Sequence, residues 1–275
     1  MKLTENEKGL LVETEDVLDL KNTFDCGQCF RWDEDGNGRW SGIVRGRYAA
    51  ISPAGGGFFI EGADRQSFEE IWKDYLDLDN DYREIKKELA VSSELLIPAL
   101  ESMDGIRILR QEPWEALCSF IISQNNNIPR IKGIISRLCE GFGADTGRGY
   151  SFPSADALAS LSVEELAPLR AGFRARYILD AARKVSAGVI RLEDMYEMPI
   201  DDCRRELMKI TGVGVKVAEC TLLYGFHRLE AFPVDVWMKK ALEADFSGLT
   251  PEKLGRYAGV AQQYIFHYTR LTAQS

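Results

Sequence analysis

A lysine and an aspartate lie in the segment 205–241, in local settings suited to nucleophilic chemistry at a carbon atom. Lys216 follows the glycine-containing turn TGVG (211–214) and opens a stretch of helical periodicity. The N-terminal end of a helix carries positive dipole charge, which repels an ammonium and, together with desolvation, favours a neutral amine that can attack carbon. The same position suits an exposed lysine that contacts a phosphate, and the local sequence leaves both interpretations open.

Asp235 lies in FPVDV (232–236), directly before another stretch of helical periodicity. A proline followed by an acid at such a boundary predicts an N-cap residue. Because a capping carboxylate is held in place, capping and catalysis are compatible. Beside an amine nucleophile, the carboxylate could stabilise a developing oxocarbenium ion and transfer protons.

The elements around the turn at 211–214 are predicted to be a helix, a tight glycine hairpin and a second helix, with the whole unit at 203–226. Glycine permits the positive φ that such a turn needs and lets another backbone approach closely. The free N–H groups at the start of the second helix form an inherent phosphate site. A dinucleotide-binding or P-loop motif is excluded, because both need a strand before the glycines and the preceding residues have helical periodicity.

The rest of the chain divides into a β-rich start and a helical remainder. Residues 10–61 alternate like strands around the turn DGNG (35–38) and around SPAGGG (52–57), which is predicted to be a hairpin turn rather than a phosphate cradle. From about Ser67 the periodicity is helical. The later predicted helices are 114–124, 128–141, 163–170, 174–187, 202–210, 215–226, 236–244 and 251–268.

The distribution of charge matters more than the net value of −9, which by itself argues against a nucleic-acid partner. The segment 61–105 holds 13 acidic and 5 basic residues, so it carries nearly all of the acidic excess. Between 170 and 191 there are six basic residues and a single acid, Asp180. Such a basic run is often just a solvated helix face, but the whole-chain charge does not exclude DNA.

Location and metal chemistry are constrained by simpler features. The N-terminal residues contain no apolar secretory segment, and no apolar run is long enough to span a bilayer, so we expect a cytoplasmic protein with no membrane partner. The pair in CGQC (26–29) lacks a second cysteine pair, and the histidines are His227 and His267. We therefore expect neither a metal site nor redox chemistry at these cysteines.

Several motifs, in the same order along the chain, resemble those of the helix-hairpin-helix DNA glycosylases. LMKITGVGVKVAEC (207–220) followed by FPVDV matches the hairpin, the nucleophilic lysine and the aspartate of that superfamily. Further matches lie at 27–32 (GQCFRW), 106–135, 169–178 and 257–266. The chain is most similar to the 8-oxoguanine glycosylase/lyases, and the resemblance covers nearly its whole length.

The resemblance implies an α+β fold. An N-terminal antiparallel sheet domain with flanking helices, of TATA-binding-protein-like topology, would occupy residues 1–105. A mostly helical glycosylase body of two subdomains, with the active site between them, would occupy residues 106–275. No cysteine follows Cys220, so the iron–sulfur cluster of some superfamily members is not expected, and no other cofactor is implied.

The resemblance also implies roles for individual residues. Lys216 would attack the sugar C1′, and Asp235 would assist departure of the base. The flipped 8-oxoguanine would meet the Gly27 carbonyl at its N7–H, because guanine carries an acceptor there and the lesion a hydrogen. Other expected base contacts are Cys220, Gln262, Phe266, Trp237 and Tyr224. Expected contacts to the rest of the DNA, including the unpaired cytosine, are Asn125, Arg130, Phe173, Arg174, Gly212, Val213 and Gly214.

These residues predict a monomeric base excision repair enzyme that removes 8-oxoguanine opposite cytosine from duplex DNA and then acts as an AP lyase. Trp237, Tyr224 and Phe173 depart from the residues usual in animal and fungal members, which puts the strictness for the lesion and for cytosine in doubt and favours a bacterial source. The protein would then act at the nucleoid, or in the nucleus of a eukaryote. The alternatives are a glycosylase of this fold for another damaged purine and a noncatalytic hairpin module that binds DNA.

Overall fold

A six-stranded antiparallel sheet forms the N-terminal part of the computed structural model, which describes residues 1–273. The strand order is β1-β2-β6-β5-β4-β3. The strands are β1 (Lys2–Asn6), β2 (Gly9–Glu13), β3 (Trp32–Glu34), β4 (Trp40–Val44), β5 (Arg47–Ala54) and β6 (Gly57–Glu61). This confirms the prediction of an antiparallel sheet followed by a helical body.

The sheet buries one face through the alternation of its side chains. In the register of β2 and β6, Leu10 pairs with Ile60 and Val12 with Phe58, and all four side chains are buried. The hairpin predicted at 52–57 is present, but β5 continues through Pro53 to Ala54 and the turn itself is Gly55-Gly56. Gly57 already belongs to β6, where a Cβ atom would lie 1.9 Å from the Val12 carbonyl oxygen.

The helices begin and end close to the predicted positions in most of the chain. They are α1 (Leu20–Phe24), α2 (Arg65–Ser67), α3 (Lys73–Tyr75), α4 (Tyr82–Ser92), α5 (Ile97–Ser102), α6 (Pro113–Ser123), α7 (Ile128–Phe142), α8 (Ala155–Ala159), α9 (Arg174–Ser186), α10 (Ile200–Leu207), α11 (Val215–Gly225), α12 (Val236–Glu243), α13 (Pro251–Leu254) and α14 (Ala258–Thr272). A π-helical segment, Phe68–Trp72, joins α2 to α3.

Three local predictions were wrong. The stretch 10–61, predicted to form strands, also contains α1, whose start is capped by Asp19 accepting a hydrogen bond from the Asn22 N–H at 2.7 Å. Residues 163–170 form turns and a short 3₁₀ segment that ends at Arg170, where the backbone is left-handed (φ +55°). The helix predicted over 251–268 is interrupted at Gly255, where φ is +62°.

The chain folds into two units. The sheet unit comprises residues 1–42, residues 49–110 and the described residues from Leu229 onward, and the hairpin unit comprises residues 43–48 and 111–228. The chain thus returns to the sheet unit with α12, α13 and α14. The division into domains 1–105 and 106–275 stays a prediction. The last two residues of the second predicted domain lie outside the described residues.

All six cysteines are buried and none forms a disulfide with another described residue, and burial raises the pKa of the Cys26 thiol to about 12. Within residues 1–273, no group of three or more His, Cys, Asp or Glu side chains is arranged to hold a metal ion. No helix of this described part is long and apolar enough to cross a membrane.

Candidate active site

The helix-hairpin-helix predicted at 203–226 is present as α10, the turn at 211–214 and α11. Gly212 has a φ of +81°, and a Cβ atom on it would lie 2.3 Å from the Tyr177 ring of α9. The turn is also fixed to α9 by Asp180, which accepts a hydrogen bond from the Thr211 N–H at 2.7 Å and pairs with Lys184. The structure therefore requires glycine at 212 for two reasons, its backbone conformation and the close approach of the ring.

The second hairpin glycine differs, which gives a matched pair of variants. Gly214 is the N-cap of α11 with extended backbone, and a Cβ atom on it would meet nothing within 4 Å. We expect Gly212→Ala to lower the thermal unfolding temperature by several degrees, since the variant adds both backbone strain and overlap with Tyr177. Gly214→Ala should leave that temperature within a degree or two. Thermal unfolding of both variants checks this, and equal losses would contradict it.

Lys216 lies in the first turn of α11 and is half-buried. Its Nζ atom lies 3.4 Å from the Ser123 Oγ and 5.1 Å from the centroid of the Phe120 ring, both on α6. Among the residues described in its own unit, the ammonium forms no ion pair. The side chain therefore lies against a hydroxyl and an aromatic face, and no carboxylate described in this unit pairs with it.

Two of the expected base-contacting residues share a helix face with this lysine. Lys216, Cys220 and Tyr224 are spaced four residues apart along α11, so they form one ridge. Tyr224 is buried and stacks on Phe120 with ring centroids 5.1 Å apart. Phe120 thus contacts both ends of the ridge.

Arg174, expected at the unpaired cytosine, is buried at the start of α9 and bonded to the backbone. Its guanidinium donates to the carbonyls of Gln124, Asn125 and Ala171. Burial, with a smaller contribution from the charge of Arg130, lowers the pKa of Arg174. In this conformation Arg174 holds the loop that carries Asn125, whose backbone is left-handed with a φ of +47°.

Of the other residues expected at the DNA, Val213 in the hairpin turn is buried and Gly212 half-buried, whereas the remaining four are exposed. Phe173 is 48% exposed, and the Arg174 guanidinium lies 4.5 Å from its ring centroid. Arg130 and Asn125 are exposed as well. Capping of α7 falls to Asn127, which accepts from the Arg130 N–H at 3.0 Å, so Asn125 has no capping role there.

The basic run at 170–191 is mostly committed to structural contacts. Arg183 donates to the carbonyls of Ala159 and Leu161, Lys184 pairs with Asp180, and Arg191 pairs with Asp194. Arg170 and Arg176 are exposed and form no ion pair or side-chain hydrogen bond with any described residue. The positive charge available to phosphates from this run therefore comes mainly from those two arginines.

In the sheet unit, Asp235 is the N-cap of α12, as the sequence predicted. Its Oδ1 accepts a hydrogen bond from the Met238 N–H at 2.9 Å. Within the part of the chain that the structure describes, Oδ2 accepts none, so one carboxylate oxygen is left for a ligand. Trp237, two residues further along, is 37% exposed, and the Lys240 Nζ lies 5.5 Å from its ring centroid.

The remaining expected base contacts also belong to the sheet unit. Gln262 and Phe266 lie four residues apart on α14, against which α12 packs, and they form a second ridge; Gln262 is buried and Phe266 half-buried. Gly27 is half-buried in the loop after α1, with a φ of +82°.

The side chains that support these residues were not predicted from the sequence. Phe120 and Ser123 were inside a matched segment, and their spacing of three residues on a predicted helix places them on one face. Gln263 was not predicted as a supporting residue. Nothing in the local sequence pattern distinguishes it from its neighbour Gln262 or shows that its amide binds a distant carbonyl.

Comparison with known proteins identifies the family of this chain. Residues 10–117 match the 8-oxoguanine DNA glycosylase N-terminal domain, and residues 118–255 match the HhH-GPD superfamily of base excision DNA repair proteins. The 8-oxoguanine glycosylase/lyase of Clostridium acetobutylicum, solved with duplex DNA containing cytosine opposite 8-oxoG, is 36% identical with a TM-score of 0.93, over 99% of each chain. The chain belongs to the 8-oxoguanine DNA glycosylase/lyase family.

Curated relatives of this glycosylase are named N-glycosylase/DNA lyases as well. The N-glycosylase/DNA lyase of Saccharomyces cerevisiae is 40% identical over 161 residues, which are 53% of this chain and 43% of that protein. The N-glycosylase/DNA lyase OGG1 of Arabidopsis thaliana is 29% identical over 92% of this chain and 78% of its own length. The names of these relatives combine a glycosylase with a lyase, which supports a bifunctional base excision repair enzyme.

Proposed function

We propose that this glycosylase removes 8-oxoguanine opposite cytosine from duplex DNA by attack of Lys216 on the sugar, and then cleaves the strand as an AP lyase. The observation that carries the proposal is the setting of Lys216. Its amine lies at the N-terminal end of a helix, beside a hydroxyl and an aromatic ring, in a chain with the family's fold. A lysine that only neutralised a phosphate would not need a half-buried position against α6.

The chemistry divides between the lysine and the aspartate. The Nζ of Lys216 forms a bond to C1′ while the bond from C1′ to the base breaks and the base leaves with the bonding electron pair. The carboxylate of Asp235, fixed by its bond to Met238, stabilises the positive charge that develops on the sugar. The departing base takes up the proton that the nitrogen loses. The C1′–O4′ bond then breaks, O4′ takes a proton from solvent, and a protonated Schiff base remains. Loss of a proton from C2′ then expels the 3′ phosphate by β-elimination.

Recognition of the lesion is proposed for the residues of the two ridges and the loop. The Gly27 carbonyl would accept the N7–H of the flipped lesion and repel the N7 lone pair of guanine. Cys220 and Phe266 would contact the faces of the base, Gln262 its Watson–Crick edge, and Trp237 and Tyr224 the surroundings of the pocket.

Duplex DNA is the proposed partner of a monomeric enzyme. Phe173 would fill the space beside the unpaired cytosine, next to Asn125, Arg130 and Arg174. The N–H groups of the hairpin at 212–214 would bind a phosphate, as free groups at the start of a helix do.

Borohydride trapping tests the proposal on a duplex that contains one 8-oxoguanine opposite cytosine, with an undamaged duplex as the control. We expect a covalent adduct with the damaged duplex alone, because borohydride reduces the Schiff base to a stable amine. Release of the base without an adduct would remove the lysine from covalent chemistry. If the protein forms no adduct and releases no base, the result would favour a different lesion or a noncatalytic DNA-binding module.

A further inference from the structure

The loop that carries Gly27 is held by buried side chains on both sides of the glycine. The Cys26 carbonyl accepts a hydrogen bond from the Gln263 Nε2 at 3.0 Å, and the Asp25 carbonyl accepts one from Arg270. Gln263 is fully buried, so its bond to Cys26 is shielded from competing water.

The residue after the glycine is held as firmly. The Gln28 side chain is fully buried, and its Nε2 donates to the Thr23 carbonyl at 2.9 Å and to the Arg107 carbonyl at 2.7 Å. Its Oε1 accepts from the Leu109 N–H at 2.9 Å. The peptide groups that flank Gly27 therefore have little freedom to rotate.

Gly27 itself is the exception in this loop. Its carbonyl accepts no hydrogen bond from any residue of the described chain, although the carbonyls of Asp25 and Cys26 both do. An acceptor without a partner in a half-buried, immobilised loop suits a ligand that brings its own donor.

We infer that Gln263 is a positioning residue that sets the discrimination for the lesion base, by fixing the peptide next to the Gly27 carbonyl. The inference rests on the proposed function. Gln263 directly follows Gln262 on α14, so one turn of this helix contributes the amide expected at the Watson–Crick edge and the amide that aims the carbonyl at N7. A carbonyl free to rotate would bond the N7–H less well and would repel guanine less strongly.

The test compares two reactions of the full-length protein under single-turnover conditions. One is excision of 8-oxoguanine opposite cytosine, which uses the Gly27 carbonyl, and the other is cleavage at a preformed abasic site, which has no base. We expect Gln263→Met to slow excision about tenfold, the effect of losing one hydrogen bond at a site that needs it, and to change abasic-site cleavage less than about twofold.

Tyr264→Phe is the matched control. It removes a bond from the next buried side chain of α14 to another backbone carbonyl, that of Ile106, at 3.2 Å. We expect this variant to leave the ratio of the two rates unchanged. Gln263→Asn, whose shorter amide cannot reach the Cys26 carbonyl, provides a second variant with the same expected loss of excision.

Two results would overturn the inference. One is a wild-type ratio of rates in both Gln263 variants, and the other is an equal loss of both reactions in variants that still unfold cooperatively. Failure of the unsubstituted protein to excise 8-oxoguanine would instead count against the proposed function, so the two failures are distinguishable.

Discussion

Replacing Lys216 by glutamine should lower the single-turnover rate of 8-oxoguanine excision by at least about 10³-fold, as expected when the nucleophile of a covalent mechanism is lost. The borohydride adduct should disappear as well. Binding should change little, because the amine is expected to act at C1′ and glutamine retains most of the length needed to reach Ser123 and Phe120. Borohydride trapping, single-turnover excision and equilibrium binding, each with the same damaged duplex, measure the loss of the adduct, the loss of excision and the unchanged affinity.

Lys209→Gln is the control for the loss of charge. Lys209 lies just before the same hairpin, but its ammonium pairs with Glu206 at 2.6 Å, so its removal should leave excision within about threefold. An equal loss of excision in both variants would show that Lys216 contributes charge for docking and is not the nucleophile.

Asp235→Asn should slow excision by about 10²–10³-fold, the usual effect of removing an electrostatic group that stabilises a transition state. Asparagine caps helices as well as aspartate does, so the free energy of unfolding should change by less than about 0.5 kcal/mol. The variant therefore separates the charge of this residue from its structural role at the start of α12. Single-turnover excision and denaturant unfolding are the measurements.

Asp235→Ala completes this comparison. It removes both the charge and the cap, so excision should fall as in Asp235→Asn while stability falls by a further ~1 kcal/mol. If Asp235→Asn excised the base at the wild-type rate, Asp235 would have only its structural role, the hydrogen bond that caps α12 at Met238.

Elements whose causes are local could be predicted from the sequence. The hairpin at 211–214, the cap at Asp235 and the strand alternation around β2 and β6 each depend on residues that are close in the chain. Local preferences for turns, caps and alternating burial are strong enough to be recognised without tertiary information. The family motifs then supplied the expected site residues and their roles, which the structure leaves as proposals.

The tertiary structure alone decided which side chains support those residues. Lys216 meets Ser123 across 93 positions of the sequence, and Gln263 binds the Cys26 carbonyl across 237. Arg174, expected at the unpaired cytosine, lies buried against the Gln124 and Asn125 carbonyls. Such partners are chosen by the packing of distant elements, since a buried donor must find whichever acceptor the fold brings near it. The spacing of residues along the sequence therefore does not predict these partners.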